Sequence, residues 1–126
     1  MKMQQSVFWV DKSGMKFHLS SPVSEWLFSS KFWSDVNSKQ GTMFDQYEED
    51  EADVPMVSAV IDALDQRVRG LRELNVRDLE FIYRWTEERI PVRSWISKDV
   101  LLCELGSLRD FLANAATENC GVVFSL

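Results

Sequence analysis

Histidine, cysteine and glycine are scarce in this chain, and their scarcity excludes several kinds of site. The 126 residues include one histidine, two cysteines and five glycines. His18 alone cannot form a histidine-rich metal site, and Cys103 and Cys120 lie too far apart for a Cys-x-x-Cys motif. The glycines are too scattered for a phosphate-binding loop or a dinucleotide fingerprint. We therefore predict no metal and no cofactor, and reduced thiols at both cysteines.

Recognisable catalytic groupings are also missing. His18 falls in a predicted strand, where a histidine is more simply a sheet residue than a general base. Glu87 and Glu88 are adjacent acids of the kind usually solvated in a loop. Cys103 and Cys120 fall in or beside predicted buried elements, so we expect them to pack as small hydrophobic side chains. The prediction is a protein that is not an enzyme, with a small enzyme of unrecognised site as an alternative.

Long apolar runs are absent. No run exceeds four residues, and the segment Met1–Ser6 lacks the apolar core of a signal peptide. We therefore expect a cytoplasmic protein with no membrane association. A hydrophobic content of 45% and a charged content of 27% are typical of globular domains. The length suits one hydrophobic core, which predicts a single domain over residues 1–126.

Basic residues are fewer than acidic residues in this chain. Twenty acids and fourteen bases give a net charge of −6, which would repel nucleic acid and anionic membranes and favour a basic protein partner. One segment interleaves arginine with tryptophan, the composition of a surface that stacks single-stranded nucleic acid. Because Glu87 and Glu88 lie within it, we favour a salt-bridged loop with core aromatics. The segment contains Arg84, Trp85, Arg89, Arg93 and Trp95.

The first half of the chain predicts a hairpin followed by two helices. Residues 6–10 and 15–19 are β-prone runs on either side of a turn-forming cluster. A helix is expected from about Pro22 to Lys31. Residues 32–47 follow neither period cleanly and are predicted as loop with possible short elements. A long amphipathic helix should begin near Asp53 and end near Asn75. Its apolar stripe consists of Val57, Val60, Ile61, Leu64, Val68 and Leu71.

The second half predicts strands around one more helix. Residues 79–85 favour a strand, with helix as the alternative, and proline breaks the following segment 89–95. Residues 100–105 indicate a buried strand. Ser107 would cap a helix, and residues 122–126 would form a final strand. The predicted order is β-β-α-α-β-β-α-β. This is an α/β (α+β) fold with a single mixed sheet covered by helices, and its strand-helix-strand unit over 100–126 should be parallel and right-handed.

The sharpest compositional feature is an acidic run that contains six carboxylates in nine positions. Such a run is commonly a solvated loop that precedes a helix. Alternatively it is an anionic binding surface with a tyrosine anchor, which would mimic phosphate and occupy a cationic cleft. The candidate partner-binding residues are Asp45, Tyr47, Glu48, Glu49, Asp50, Glu51 and Asp53.

The second half also resembles a known class of proteins. A long amphipathic helix leads to an aromatic strand ending in Arg84-Trp85-Thr86, then to a segment with Pro91 and Trp95, then to Leu102–Leu112. This succession resembles the small bacterial immunity proteins of polymorphic and contact-dependent toxin systems, among which the immunity protein 70 family is one candidate. The resemblance implies a protein that binds and blocks a cognate toxin inside the producing cell. An adaptor or structural subunit of a larger assembly is the other alternative, and the oligomeric state is left open.

Overall fold

The computed structural model describes residues 3–126, and within that range the chain forms four helices and six strands. The mixed α+β class is confirmed. In chain order the elements are β1 Val7–Trp9, β2 Lys16–His18, α1 Ser21–Ser29, α2 Phe32–Gln40, β3 Glu49–Ala52, α3 Val54–Glu73, β4 Asp78–Trp85, β5 Pro91–Ser97, α4 Lys98–Thr117 and β6 Val122–Ser125.

Four strands form an antiparallel sheet in the order β2-β1-β6-β3. The predicted β1–β2 hairpin is confirmed, and Gly14 in its turn has a positive φ of 72°, which glycine adopts without steric cost. One face of the sheet packs on the core, where the rings of Phe8 and Phe124 meet edge to face with centroids 5.1 Å apart. The predicted terminal strand is confirmed as β6, which lies inside this sheet between β1 and β3.

The remaining two strands, β4 and β5, form a separate antiparallel hairpin. The predicted strand over residues 79–85 is confirmed, and the proline-broken segment 89–95 is largely the partner strand β5. Phe81 and Ile96 are buried, so one face of the hairpin packs against the core. The prediction of a single mixed sheet is therefore wrong, because the chain builds two antiparallel sheets that do not pair with each other.

The chain from Lys98 to Thr117 is one continuous helix, so the predicted strand over 100–105 and the predicted helix start at Ser107 are wrong. The helix begins instead at Ser97, whose hydroxyl accepts a hydrogen bond from the Val100 N–H at 3.3 Å. Four- and three-residue spacing places its buried residues on a single stripe, which consists of Leu101, Leu105, Leu108, Leu112 and Ala115. A short apolar run gives no periodicity that separates strand from buried helix. Without that strand, the predicted parallel unit over 100–126 is also absent.

The predicted long helix is confirmed as α3. Its N-terminal cap is Asp53, whose carboxylate accepts from the Met56 N–H at 2.9 Å, and Leu64 on its apolar stripe is fully buried. The helix packs along α4, and the Arg109 Nε donates to the Asp65 carboxylate at 3.1 Å across that contact. This hydrogen bond and the Asp65 charge raise the pKa of the Arg109 guanidinium above its ordinary value.

Helix α1 confirms the first predicted helix, whereas α2 lies inside the stretch predicted as loop with possible short elements. The side chains of Phe32, Trp33 and Val36 are buried on one face of α2. Lys31 and Gly41, which both have positive φ, lie at the two ends of the helix. The helix has nine residues, which are too few to show a clear period in the sequence. No helix within residues 3–126 combines the length and apolar character that crossing a bilayer requires.

Candidate partner-binding surface

The acidic run does not form a continuous loop, because Glu49–Ala52 is strand β3. The strand lies at the edge of the four-stranded sheet and pairs with β6 alone. The pairing extends one residue further, where the Leu126 N–H donates to the Glu48 carbonyl at 3.0 Å. Acids are unfavourable in strands by propensity, and here pairing with the apolar strand β6 overrides that preference. We call residues 45–53 the acidic edge.

The alternation of β3 divides its carboxylates between two faces. Glu49 and Glu51 are exposed, whereas Asp50 is half-buried. Asp50 lies opposite Phe124 in the register, and directly opposed residues of an antiparallel pair share a face. Because the Phe124 ring is in the core, the Asp50 side chain turns toward the core face of the sheet. Its Oδ2 atom is buried and has no hydrogen-bond partner in the described residues.

Other members of the acidic edge already have structural contacts. The Asp53 carboxylate caps α3, as described above. Asp45 is exposed, and its Oδ1 accepts from the N–H of Gln46 at 2.8 Å. Glu48 is exposed and contributes only its carbonyl to the sheet. The residues available to a partner are therefore Glu48, Glu49 and Glu51 on the outside, with Asp50 behind them.

A groove of about 890 Å³ runs beside β3. Residues 42–44 and the turn over 119–121 contribute to its lining. Asp11 at the first hairpin adds a carboxylate to those of the acidic edge, and the neighbouring Lys12 is the groove's one basic side chain in the described range. The side chain of Met43, which is 85% exposed, lies at the groove. The groove therefore combines carboxylates with a flexible apolar side chain, a combination that suits a basic side chain with an aliphatic stem.

The acidic edge carries the charge imbalance of the whole protein. Its six carboxylates equal the net charge of −6, so the rest of the chain is balanced between acids and bases. The excess of acids over bases therefore equals the number of carboxylates in this one segment. Such a concentration of like charge accelerates encounter with a partner of opposite charge.

Tyr47 connects the acidic edge to the β4–β5 hairpin. It has a positive φ of 67°, and its side chain is 63% exposed. The Arg84 guanidinium lies 5.9 Å from the centroid of its ring, which is within the range of a cation–π contact. The tyrosine of the acidic edge is thus held beside a basic residue of the hairpin.

A buried carboxylate underlies this connection. Glu25 on α1 is only 2% exposed. Its Oε1 accepts from the Gln4 N–H at 2.7 Å, from the Gln46 Nε2 at 3.1 Å and from Arg84 at 3.1 Å. Three donors from three parts of the chain stabilise the charge that burial would otherwise penalise. The Glu25 carboxylate therefore links the N-terminal segment, the acidic edge and the hairpin.

The outer face of the hairpin is aromatic. Trp85 is 61% exposed and Trp95 is 63% exposed, so the prediction that these residues are core aromatics is wrong. The strand alternation explains the error, since Ile96 faces the core and its neighbour Trp95 must face outward. The predicted salt-bridged loop is also wrong, because most of the segment is strand and its arginines pair with acids outside it, Arg93 with Glu80 and Arg84 with Glu25. Knowledge of the β4–β5 register would have been needed to find this face from the sequence.

The other candidate residues lie apart from the acidic edge. His18 is a sheet residue in β2, as predicted, and it is exposed. Cys103 is exposed on α4, contrary to the predicted buried strand, whereas Cys120 is half-buried, and both are free thiols. Glu87 and Glu88 are exposed in the turn between β4 and β5, as expected. No group of three potential metal ligands occurs in residues 3–126.

A second hollow, of about 530 Å³, lies between α2 and α3. Its lining includes the apolar side chains of Trp26, Phe32 and Leu71. Charged side chains of both signs, among them Asp35 and Arg67, also line it, and these two form an ion pair at 3.1 Å. Its charged lining contains two acids and two bases, so this hollow lacks the excess of one sign that the acidic edge has.

Comparisons with protein-family models, with curated proteins and with solved structures gave no match to this chain.

Proposed function

We propose that this chain is a binding protein that takes a basic protein partner on its acidic edge. The observation that carries the proposal is the Asp50 carboxylate, which has a buried oxygen that no donor within residues 3–126 reaches. A buried acceptor without a partner costs free energy in the isolated protein. A lysine or arginine of a partner that entered the groove would supply the missing donor as a charge-assisted hydrogen bond.

The distribution of the other carboxylates supports the same proposal. Glu49 and Glu51 are exposed on the edge strand, and Glu48 is exposed just before it. Exposed carboxylates of this kind raise the association rate with a basic partner, whereas a desolvated carboxylate such as Asp50 mainly slows dissociation. The acidic edge therefore contains both a steering surface and a candidate anchoring group.

The kind of partner follows from the resemblance to bacterial immunity proteins. We propose a cognate toxin domain whose active-site cleft is basic, as in an enzyme that cleaves nucleic acid. The acidic edge would occupy that cleft in place of phosphate groups and so neutralise the toxin in the cytoplasm of the producing cell. In this proposal the chain contributes no catalysis, no cofactor and no contact with nucleic acid or membrane.

Co-expression with a toxin tests the proposal. The toxin domain encoded directly upstream of this chain is expressed alone and together with the chain, and growth is measured. We expect growth arrest with the toxin alone and rescue with the chain. Absence of a toxin domain at that position, or a failure to rescue growth, would contradict the immunity function.

A four-residue neutralisation then tests the surface. The variant carries Glu48→Gln, Glu49→Gln, Asp50→Asn and Glu51→Gln, and its matched control removes four exposed acids elsewhere, at Glu73, Glu87, Glu88 and Glu118. With the same toxin, the first variant should associate more slowly and with a flatter dependence on salt, whereas the control should change both much less. Loss of the anchoring carboxylate should weaken binding by about 2–5 kcal/mol. Equal effects of the two variants would show that net charge matters and the acidic edge does not.

A second candidate function, an adaptor in a larger assembly, is favoured by the hairpin. Exposed tryptophans together with arginine are the composition of interface hot spots, and Trp85 and Trp95 both lie on the outer face with Arg93. If the neutralised variant binds the toxin normally, the interface moves from the acidic edge to this face. Trp85→Ala and Trp95→Ala would then be the variants that lose binding.

A further inference from the structure

Strand β5 has a free edge. In residues 3–126 it pairs with β4 alone. The other edge of β4 is covered by α1, since the Ile82 N–H donates to the Ser29 hydroxyl at 3.1 Å. Within residues 3–126, the outward backbone groups of Arg93 and Trp95 on β5 have no hydrogen-bond partner on that side. The hairpin is therefore closed on one side and open on the other.

The register shows which groups face the open side. Bonded and non-bonded pairs alternate along an antiparallel ladder. The Lys98 N–H donates to the Arg77 carbonyl at 2.9 Å, and the Ile82 N–H points away from β5. These two hydrogen bonds fix the alternation, so three pairs between β5 and β4 are non-bonded. They are Ser97 with Asp78, Trp95 with Glu80, and Arg93 with Ile82. The N–H and C=O groups of Arg93 and Trp95 therefore face the open edge, as does the N–H of Ser97, whose carbonyl belongs to the first turn of α4.

Pro91 fits the same pattern. The Thr86 N–H donates to the Ile90 carbonyl at 2.9 Å, so the next pair, Trp85 with Pro91, is non-bonded. The nitrogen of Pro91 thus faces the open edge, where the absence of an N–H removes no bond to β4. Proline is found in sheets at such outward positions of edge strands.

The edges of the two sheets are protected to different degrees. Strand β3 has four residues, three of them acids, and β2 has three residues, including Lys16. Short strands and charged side chains discourage pairing with another strand. Strand β5 has seven residues, and Arg93 is its one charged residue. By these criteria β5 is the edge best suited to pair with another strand.

We infer that this edge pairs with the β5 edge of a second copy of the same chain, which joins the two hairpins into one four-stranded antiparallel sheet. With the twofold axis at Ser94, Arg93 lies opposite Trp95 of the second copy, and Trp95 lies opposite its Arg93. Each of these pairs is a bonded one, because all four residues present their backbone groups to the shared edge. The outward side chains then form two symmetric cation–π contacts between guanidinium and indole.

The charge of the chain favours contact between two copies at the β5 edge over contact between them at other surfaces. The chain carries −6, so two copies repel each other wherever their acidic edges approach. Strand β5 itself carries a single positive charge, and Arg93 is already paired with Glu80. Self-pairing in this register sets that positive charge against an aromatic ring, and the two Arg93 residues lie diagonally across the shared edge instead of directly opposite each other. The inference rests on the hairpin alone and is independent of the proposed toxin binding.

Analytical ultracentrifugation of the purified full-length chain over a wide concentration range tests the inference. We expect the mass to rise from one chain to two as concentration increases. Trp95→Lys should weaken this self-association at least about tenfold, since it removes two symmetric hot-spot aromatics and sets lysine opposite arginine. Trp85→Lys is the matched control, because Trp85 lies on the same outer face but on the strand that α1 covers. It should change the dissociation constant by no more than about twofold.

Arg93→Pro provides a test through the backbone. It removes an N–H that β4 does not use, so circular dichroism should show a folded hairpin while self-association is lost. A protein that stays monomeric at every concentration would overturn the inference. Equal weakening by Trp95→Lys and Trp85→Lys would also overturn it, because the outer face would then be the interface instead of the edge.

Discussion

The acidic edge and the β5 edge are both open strand edges, yet their side chains suit them to different partners. Three of the four residues in β3 are acids, whereas one of the seven in β5 is charged. Concentrated like charge opposes the pairing of β3 with another copy of itself and would favour the basic partner proposed above. Strand β5 has little charge to oppose self-pairing and two tryptophans beside it. The comparison teaches that side-chain charge decides what an open edge can bind, although the backbone groups are the same.

Glu25 links the acidic edge to the β4–β5 hairpin. Removing its carboxylate should have the largest effect on stability. Glu25→Ala removes the acceptor of Gln4, Gln46 and Arg84 together. Loss of one partner of a buried ion pair costs about 3–5 kcal/mol, because the remaining charge stays desolvated. We expect a loss at the lower end of that range, since the Arg84 side chain is 21% exposed. Urea denaturation measures the change in the free energy of unfolding.

The control for this variant is Glu88→Ala, which removes an exposed acid from the β4–β5 turn. It should change stability by less than about 0.5 kcal/mol. Similar changes for the two variants would mean that the Glu25 network does not hold the acidic edge to the hairpin.

A smaller effect is expected where β3 meets the turn before β6. A Cβ at Gly121 would lie 2.8 Å from the Ala52 carbonyl oxygen, so Gly121→Ala must displace β3 from its neighbour. We expect a loss of about 1–3 kcal/mol, the usual cost of overpacking. Hydrogen exchange should accelerate at the backbone amides of β3 and β6 and stay unchanged in the β4–β5 hairpin.

Gly106→Ala is the matched control for Gly121→Ala. Gly106 lies within α4, and a Cβ there would meet nothing within 4 Å. Since alanine favours a helix more than glycine does, this variant should gain up to about 1 kcal/mol. If both variants were destabilised alike, the close approach at Ala52 would not be what limits residue 121.

The elements that the sequence predicted correctly are those whose signals are local. The turn before Met15 predicts the first hairpin, and the stripe that contains Leu64 predicts α3, because each pattern is complete within its own segment. Strand β3 could not be predicted, since its acids form a strand only through pairing with β6, which lies at the other end of the chain. The continuity of α4 was missed because Ser107 resembles a cap, although its hydroxyl donates to the Cys103 carbonyl inside the helix at 3.1 Å.

The candidate site was predictable in composition but not in geometry. The seven candidate residues lie within nine consecutive positions, yet strand alternation separates Asp50 from Glu49 and Glu51, and Asp53 serves as a helix cap. The outward position of Trp95 depends on its pairing with Glu80, which no local pattern reveals. Pairing partners distant in the chain therefore decide which side chains reach a partner.

The last prediction concerns the residue on which the two kinds of edge differ most, Asp50. Asp50→Val replaces a half-buried carboxylate, whose Oδ2 has no donor, with a β-branched side chain facing Phe124. Removing an unsatisfied buried acceptor should raise stability by about 1 kcal/mol, visible as a higher urea midpoint at an unchanged m-value. Glu49→Val is the control, because it makes the same change on the exposed face and should alter stability by less than about 0.5 kcal/mol. A gain of stability combined with weaker binding to a basic partner is the pattern expected of a residue retained for function at a cost to folding. If Asp50→Val instead destabilised the protein, the carboxylate would be stabilising the fold, and the proposal that Asp50 awaits a partner's donor would lose its main support.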